Sequence, residues 1–245
     1  MSEFEGQTAL VTGGSKGIGR AVALRLARAG ARVGISWFRD RESAEKTLAE
    51  LEEIGAEAFA SRAFLGDVDA PSKLFEEART NLGEPTLLVS NAATGVQRPL
   101  SEITKSHWDW TVETNAAAFL RLAQAGRELT SIVCMTSLGS SRVLPGYGIV
   151  GASKAALESL TRYLAVELGP RCRANAISAG VIDTESLRRF PEHARLVGEA
   201  EVKTPAGRLT VPEDVAELAA FLLSGRASMV TGQTIVVDGG YSLIA

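Results

Sequence analysis

Seven short apolar runs punctuate this chain, at residues 8–12, 32–37, 58–63, 86–90, 131–136, 173–178 and 233–238. They are rich in Val, Ile and Leu and lack polar alternation, the pattern of strands buried on both faces of a parallel sheet. Between them, apolar residues recur at helical spacing: Ile18, Val22, Leu26 and Ala29; then Leu74, Ala78 and Leu82; then Val150, Leu157, Leu160, Leu164 and Leu168. Strand–helix alternation of this kind predicts right-handed βαβ units. The expected fold is therefore a Rossmann-type α/β domain, a doubly wound parallel sheet of about seven strands with helices on both faces. A length of 245 residues fits one such domain spanning the whole chain.

Two stretches depart from the pattern. Residues 182–205 are polar and weakly periodic, and they lie where a substrate lid could sit. The helical stretch at 115–128 runs into the fifth apolar run with almost no connector, either a short turn or an incomplete stretch of chain.

Composition narrows the function classes. Lys and Arg number 26 against 29 Asp and Glu, a net charge of -3, without the basic excess of a nucleic-acid surface. No run of 18 apolar residues exists to span a membrane. The first residues lack the basic and apolar regions of a signal peptide, so the expected compartment is cytoplasmic. Two cysteines read as reduced thiols, Cys134 in a buried strand and Cys172 at the surface. His107 and His193 lie in no metal-ligand spacing, so no metal site is expected.

The first apolar run leads into Thr12-Gly13-Gly14-Ser15-Lys16-Gly17-Ile18-Gly19 and then into a helix. Gly13 permits a tight turn, Gly17 lets backbone approach a diphosphate, and Gly19 lets helix pack on sheet. The helix start then offers free N–H groups and a positive dipole end to the phosphates. A glycine pattern alone is weak, but the strand–turn–helix setting supports a dinucleotide site, to which Ser15 and Ile18 also belong. The second run ends Ser36-Trp37-Phe38-Arg39-Asp40. It lacks the acidic residue that would bond an adenosine ribose and repel a 2′-phosphate. Arg39 and Lys16 can flank that phosphate instead, so NADPH is the expected cofactor, with Asp40 close enough to blunt the charge. Asp67 and Val68, after the third run, are placed against the adenine; for Asp67 the competing role is a turn or helix cap.

Taken in order, the glycine motif, Asn91-Ala92-Ala93, Asn115, Ser137, the Tyr/Lys helix and the closing Val236-Val237-Asp238-Gly239-Gly240 resemble the short-chain dehydrogenase/reductase family along nearly the whole chain. The resemblance implies that Asn91 stabilises the central strand and lines the cofactor with Ala92 and Ala93. It implies that Asn115 holds a water beside the catalytic Lys154, that Ser137 positions the substrate carbonyl, and that Thr184, with Ile182 nearby, meets the cofactor's carboxamide side. Most members carry Tyr-x-x-x-Lys. Here the residue four before Lys154 is Val150, which has no proton to give, and the nearby tyrosine is Tyr147, a Tyr-x6-Lys spacing. That spacing, with Ser137-Leu138-Gly139-Ser140, Ser153-Lys154-Ala155-Ala156-Leu157 and Thr204-Pro205-Ala206-Gly207-Arg208, resembles the third type of bacterial enoyl-acyl-carrier-protein reductase, which uses NADPH. Ser178-Ala179-Gly180 replaces the family's common Pro-Gly.

Chemistry suits the longer spacing. Ketone reduction puts hydride on the carbon next to the protonated oxygen, whereas enoyl thioester reduction puts hydride on C3 and charge on an oxygen several bonds away. Tyr147 would stabilise that oxyanion, while Lys154 would bond the nicotinamide ribose and lower the Tyr147 pKa. Three functions follow in order of expectation: an NADPH-dependent enoyl-thioester reductase, with an acyl carrier protein as a candidate carrier; a ketoreductase on the same scaffold; and a non-catalytic NADPH-binding module. Trp108 and Trp110 are expected at helix packing or an interface, and Tyr163 in packing. Apolar residues on more than one side of the Lys154 helix, and the apolar end Ser242-Leu243-Ile244-Ala245, predict a homotetramer or dimer.

Overall fold

A computed structural model describes residues 2–185, 187–189 and 192–244. Ser186, Phe190 and Pro191 of the 182–205 segment, and Ala245 of the apolar end, lie outside the described residues. The chain runs β1 (Thr8–Val11), α1 (Gly17–Arg28), β2 (Arg32–Trp37), α2 (Arg41–Glu53), β3 (Ala58–Arg62), α3 (Ala70–Leu82) and β4 (Leu87–Ser90). It continues through α4 (Lys105–Val112), a π-helical turn (Glu113–Ala117), α5 (Ala118–Ala125), β5 (Ser131–Ser137), α6 (Gly148–Glu167) and β6 (Arg173–Ala179). It closes with α7 (His193–Lys203), α8 (Pro212–Leu223), β7 (Thr234–Val237) and α9 (Tyr241–Ile244).

The strands form one seven-stranded sheet in the order β3-β2-β1-β4-β5-β6-β7, and every pairing is parallel. Side chains alternate across it as strand geometry requires. Val11, Ile35, Val89, Met135 and Ile177 pack with Val22, Leu26, Val215 and Ala219 of α1 and α8. Leu10, Leu88, Ile132, Cys134 and Ala176 face the other way, onto Leu74, Phe119, Leu122 and Leu157 of α3, α5 and α6. Both faces are covered, which is why the inner runs carry no polar alternation. The last strand is an exception: β7 is an edge and alternates between exposed and half-buried positions.

The short connector before β5 is residues 126–130. A Cβ at Gly126 would collide with Leu129 and crowd Phe75. Glycine therefore lets Leu129 bury against that face, and the Thr130 N–H joins the ladder at Thr86 O (2.8 Å). The weakly periodic 182–205 segment holds a helix, α7. Cys172 is 3% exposed, so it is a buried thiol and not the expected surface one.

At the start of β6, Arg173 ties sheet to helix. Its guanidinium donates to the carbonyls of Leu222 (2.6 Å) and Leu223 (3.2 Å) at the end of α8, and of Ser224 (2.9 Å) and Ala227 (3.1 Å) just beyond it. Leu222 and Leu223 lie in the last turn of α8, whose carbonyls have no partner within the helix, and a cation there also meets the negative dipole end. Arg173→Met should lower unfolding free energy by about 2–4 kcal/mol in urea titration, the range for losing charge-assisted bonds and stranding their acceptors.

Candidate active site

Above the C-terminal ends of the strands lies a cavity of about 790 Å³, reaching from the end of β2 across the β1/β4 crevice to α6 and α7. Its floor is the glycine turn. Gly13 (φ 62°) and Gly17 (φ 55°) take the left-handed conformation that costs glycine least. A Cβ on Gly13 would press on the Ala92 backbone at 3.0 Å, and one on Gly19 would run into Gly13 O. Gly13, Ser15, Lys16, Gly17 and Ile18 line the cavity, while Gly19 is buried beneath the turn. No side chain caps α1, and its first turn holds no acidic residue. Its N–H groups are thus left for an anion. Thr47 Oγ1 donates to Ser15 O (2.9 Å) and fixes the turn against α2. These residues fit a dinucleotide diphosphate.

Ser36, Trp37, Phe38, Arg39 and Asp40 line one end. The Arg39 guanidinium lies 5.6 Å from the Phe38 ring centroid. Lys16 is held by two carboxylates, Asp40 Oδ2 at 3.0 Å and Glu185 Oε2 at 2.5 Å. Asp40 also caps α2. The Ser43 N–H, and after it Lys16, hold the Asp40 carboxyl at about 2, so it stays charged and blunts Lys16.

Asp67 and Val68 are not at the base end. The wall after β3 is Ala63, Phe64 and Leu65, with the Phe64 ring 4.9 Å from that of Phe38. Asp67 Oδ1 instead accepts from the Asp69 N–H (3.1 Å), a turn role, and Val68 is 63% exposed. Register is the reason: β3 ends at Arg62 opposite Trp37, so the next residues up, not those five further on, form the wall.

Asn91, Ala92, Ala93, Ile182 and Thr184 line the middle. The Asn91 amide donates to Thr12 O and Gly13 O, both 3.0 Å. Asn115 lies below the cavity wall and is 2% exposed. Its Oδ1 accepts from the Thr94 N–H (2.8 Å), and its amide donates to Thr94 O (2.9 Å) and Ser153 Oγ (2.9 Å). Both side-chain donors are therefore spent on protein, and the side chain clamps the loop after β4 to α6.

At the reacting end, Ser137 leaves β5 and Tyr147 immediately precedes α6. Their hydroxyls are 3.2 Å apart. The Tyr147 ring lies against Gly139, where a Cβ would collide with it. Burial raises the Tyr147 pKa, and the Ser137 hydrogen bond is what opposes the rise. The expected lowering by Lys154 is not what acts here, because Lys154 Nζ donates to Met135 O (2.7 Å). Burial pulls Lys154 down to about 8. Val150 lines the cavity without a polar group.

Sequence reasoning missed the far wall. Trp110, expected in packing, lines the cavity with Gln97, Leu144, Leu187, Leu196 and Tyr241. Trp108 is half exposed, and Tyr163, 66% exposed, does not pack within the monomer. Trp110 lies in α4, five residues before Asn115 of the π-helical turn.

The chain matches, over residues 13–242, a family model described as Enoyl-(Acyl carrier protein) reductase. It is 37% identical to the 1-cyclohexenylcarbonyl-CoA reductase of Streptomyces collinus, covering 98% of this chain and 88% of that one. It is 38% identical to a tropinone reductase homolog of Arabidopsis thaliana, covering 98% and 92%. Among solved structures, a short-chain dehydrogenase from Burkholderia cenocepacia in complex with NADP superposes with a TM-score of 0.90 at 32% identity, covering 98% and 99%.

Lys154 has a pH signature. Folded, it loses its proton near 8; unfolded, near 10.5. Between those values the unfolded chain binds more protons, so folding gains stability as pH rises. The melting temperature of Lys154→Met minus that of the parent should therefore fall between pH 7 and pH 10. A flat difference would mean the lysine is not held against its charge.

Proposed function

The chain belongs to the short-chain dehydrogenase/reductase family, and from that premise we propose that it reduces the carbon–carbon double bond of an enoyl thioester with NADPH. The observation that carries this reading is the placement of Tyr147. Its phenol meets Ser137 Oγ from the loop before α6, while Val150, four residues before Lys154, offers the cavity only methyl groups. The donor thus comes from the longer spacing, which suits an oxygen remote from the carbon that accepts hydride. The name of the Streptomyces relative, an alkenyl-carbonyl thioester reductase, supports the same class.

The cofactor held at the glycine turn and α1 supplies the hydride. The chain supplies position and a proton donor. Burial keeps the Tyr147 phenol protonated at neutral pH, so it donates a hydrogen bond to the thioester oxygen as charge develops there. Ser137 fixes the direction of that O–H. Lys154, anchored on Met135 O in this structure, is the residue for the nicotinamide ribose. Apolar walls from Trp110, Leu144, Leu187 and Leu196 exclude water from the acyl group.

One observation favours carbonyl reduction as the second reading: two hydroxyls 3.2 Å apart can both donate to one ketone oxygen. NADPH oxidation with crotonyl and acetoacetyl thioesters separates the two. Arg39 and the lack of a carboxylate at Ser36 or Trp37 support NADPH over NADH. Exposed Tyr163, Val166, Leu243 and Ile244 support assembly into a homotetramer or dimer.

Tyr147→Phe should cut crotonyl-thioester turnover by about 100- to 1000-fold, roughly 2.7–4 kcal/mol, with NADPH binding retained. Full activity in that variant would remove Tyr147 from the chemistry. Arg39→Ala should weaken NADPH by about tenfold in fluorescence titration and leave NADH nearly unchanged, the loss of roughly one charge-assisted bond.

A further inference from the structure

Arg39 and Lys16 both line the cavity beside the end of β2, and their charges are not equally available. Arg39 lies against the Phe38 ring and joins no ion pair among the described residues. Lys16 Nζ stands between two carboxylates, Asp40 Oδ2 at 3.0 Å and Glu185 Oε2 at 2.5 Å. Two negative charges meet one positive charge there. The two carboxylates are held differently. Asp40 caps α2: its Oδ1 accepts from the Ser43 N–H (3.0 Å) and its Oδ2 from Ser43 Oγ (2.8 Å). Turning it away from Lys16 would uncap that helix. Glu185 lies in the turn after β6, with its side chain more than half exposed. Water takes over its carboxylate when the ion pair opens, so the pair is weak in itself. Backbone nevertheless keeps it near, because a Cβ on Gly17 would stand only 3.5 Å from Thr184 Cγ2. The turn after β6 therefore rests on the glycine turn and holds Glu185 beside Lys16.

A ribose 2′-phosphate carries close to two negative charges. Arg39 answers one. Lys16 answers the other only if one of its carboxylates leaves, since an anion drawn to that ammonium otherwise meets two like charges beside it. Resting on the reading of Arg39 and Lys16 as the residues for that phosphate, we infer that Glu185 is a specificity-determining residue. It competes with the 2′-phosphate of NADPH for Lys16 and so lowers the preference for NADPH over NADH. NADH brings no phosphate to this point, and its binding leaves the Lys16–Glu185 pair intact. Glu185 is the carboxylate that yields, because Asp40 is tied to α2. The preference is thus set in part by a residue 169 positions from Lys16, and not by the end of β2 alone.

The test measures Kd for NADP⁺ and for NAD⁺ by calorimetry on the whole chain, with no thioester present. Glu185→Gln keeps the shape of the side chain and removes its charge. It should tighten NADP⁺ by about fivefold, the upper range for an exposed ion pair, and leave NAD⁺ within about twofold. The gain should shrink as salt rises from about 0.05 to about 0.5 M, because the contest is between charges near the surface. In a Lys16→Met background the same change should do nothing, since the contested cation is gone. Unchanged NADP⁺ affinity in Glu185→Gln would overturn the assignment. Equal weakening of both cofactors would overturn it too, and would make the pair a strap over either dinucleotide. So would a gain that persists without Lys16. Lys16→Met and Arg39→Ala alone report on the phosphate site. If neither weakens NADP⁺, that reading fails and Glu185 with it; if both weaken it while Glu185→Gln brings no gain, Glu185 alone is rejected.

Discussion

The structure turns on the junction between Thr12 and Asn91. Strands β1 and β4 are neighbours although β2 and β3 intervene in sequence. After β1 the chain enters the α1 layer; after β4 it passes to the α5 layer on the other face. The connections part there and leave a crevice, the place where open α/β sheets bind ligands. Parting also leaves the last backbone groups of both strands without a ladder. Thr12 Oγ1 accepts from the Asn91 and Ala92 N–H groups (3.0 and 3.1 Å), and the Asn91 amide donates to Thr12 O and Gly13 O. Two side chains satisfy what the open crevice would otherwise strand, and Gly13 is held in its left-handed turn as a result.

From that junction a series of short connections reaches the start of α6 and Lys154. Asn91 leads through Ala92 and Ala93 to Thr94, whose backbone is gripped at both ends by Asn115. Asn115 then donates to Ser153 Oγ, next to Lys154 on α6. The π-helical turn at Glu113–Ala117 sets Asn115 at this crossing. An extra residue in one helical turn shifts the side chains after it relative to those before. The glycine turn and the Lys154 end of the cavity are therefore referenced to one another by hydrogen bonds and not by packing alone.

This also explains what the sequence disclosed. Fold class was legible because buried parallel strands write their burial directly into apolar runs, and the glycine turn was legible because its neighbours in the chain are its neighbours in space. Asp67 was misplaced because the wall depends on where β3 stops against β2, which composition does not mark. Trp110 was missed because a tryptophan on an amphipathic helix looks alike whether it faces a core or a cavity. Cys172 follows the end of α6 and looked exposed, yet it packs among the α6 and β6 residues of one core. Lys16 carried the right charge, but Glu185, 169 residues away, shares it. The Lys16–Glu185 pairing is one that local pattern does not encode.

The position of Tyr147 follows from packing at the start of α6. Val150 occupies the point four residues before Lys154, and its Cγ2 fills the space a side chain on Gly95 would need. A bulky ring at 150 would have to displace that loop, the same loop that Asn115 clamps. The hydroxyl therefore enters from one turn earlier, where Gly139 leaves room for the ring and Leu144 O takes the Tyr147 N–H (3.1 Å). Seven residues along a helix rise about 10.5 Å, so Tyr147 and Lys154 cannot act as an adjacent pair on one helical turn. The lysine turns instead to Met135 O, and the phenol turns to Ser137. Separating the two groups removes the ammonium that would otherwise favour a phenolate. The tyrosine stays a neutral donor, the state that the enolate oxygen of the proposed reaction would require of it.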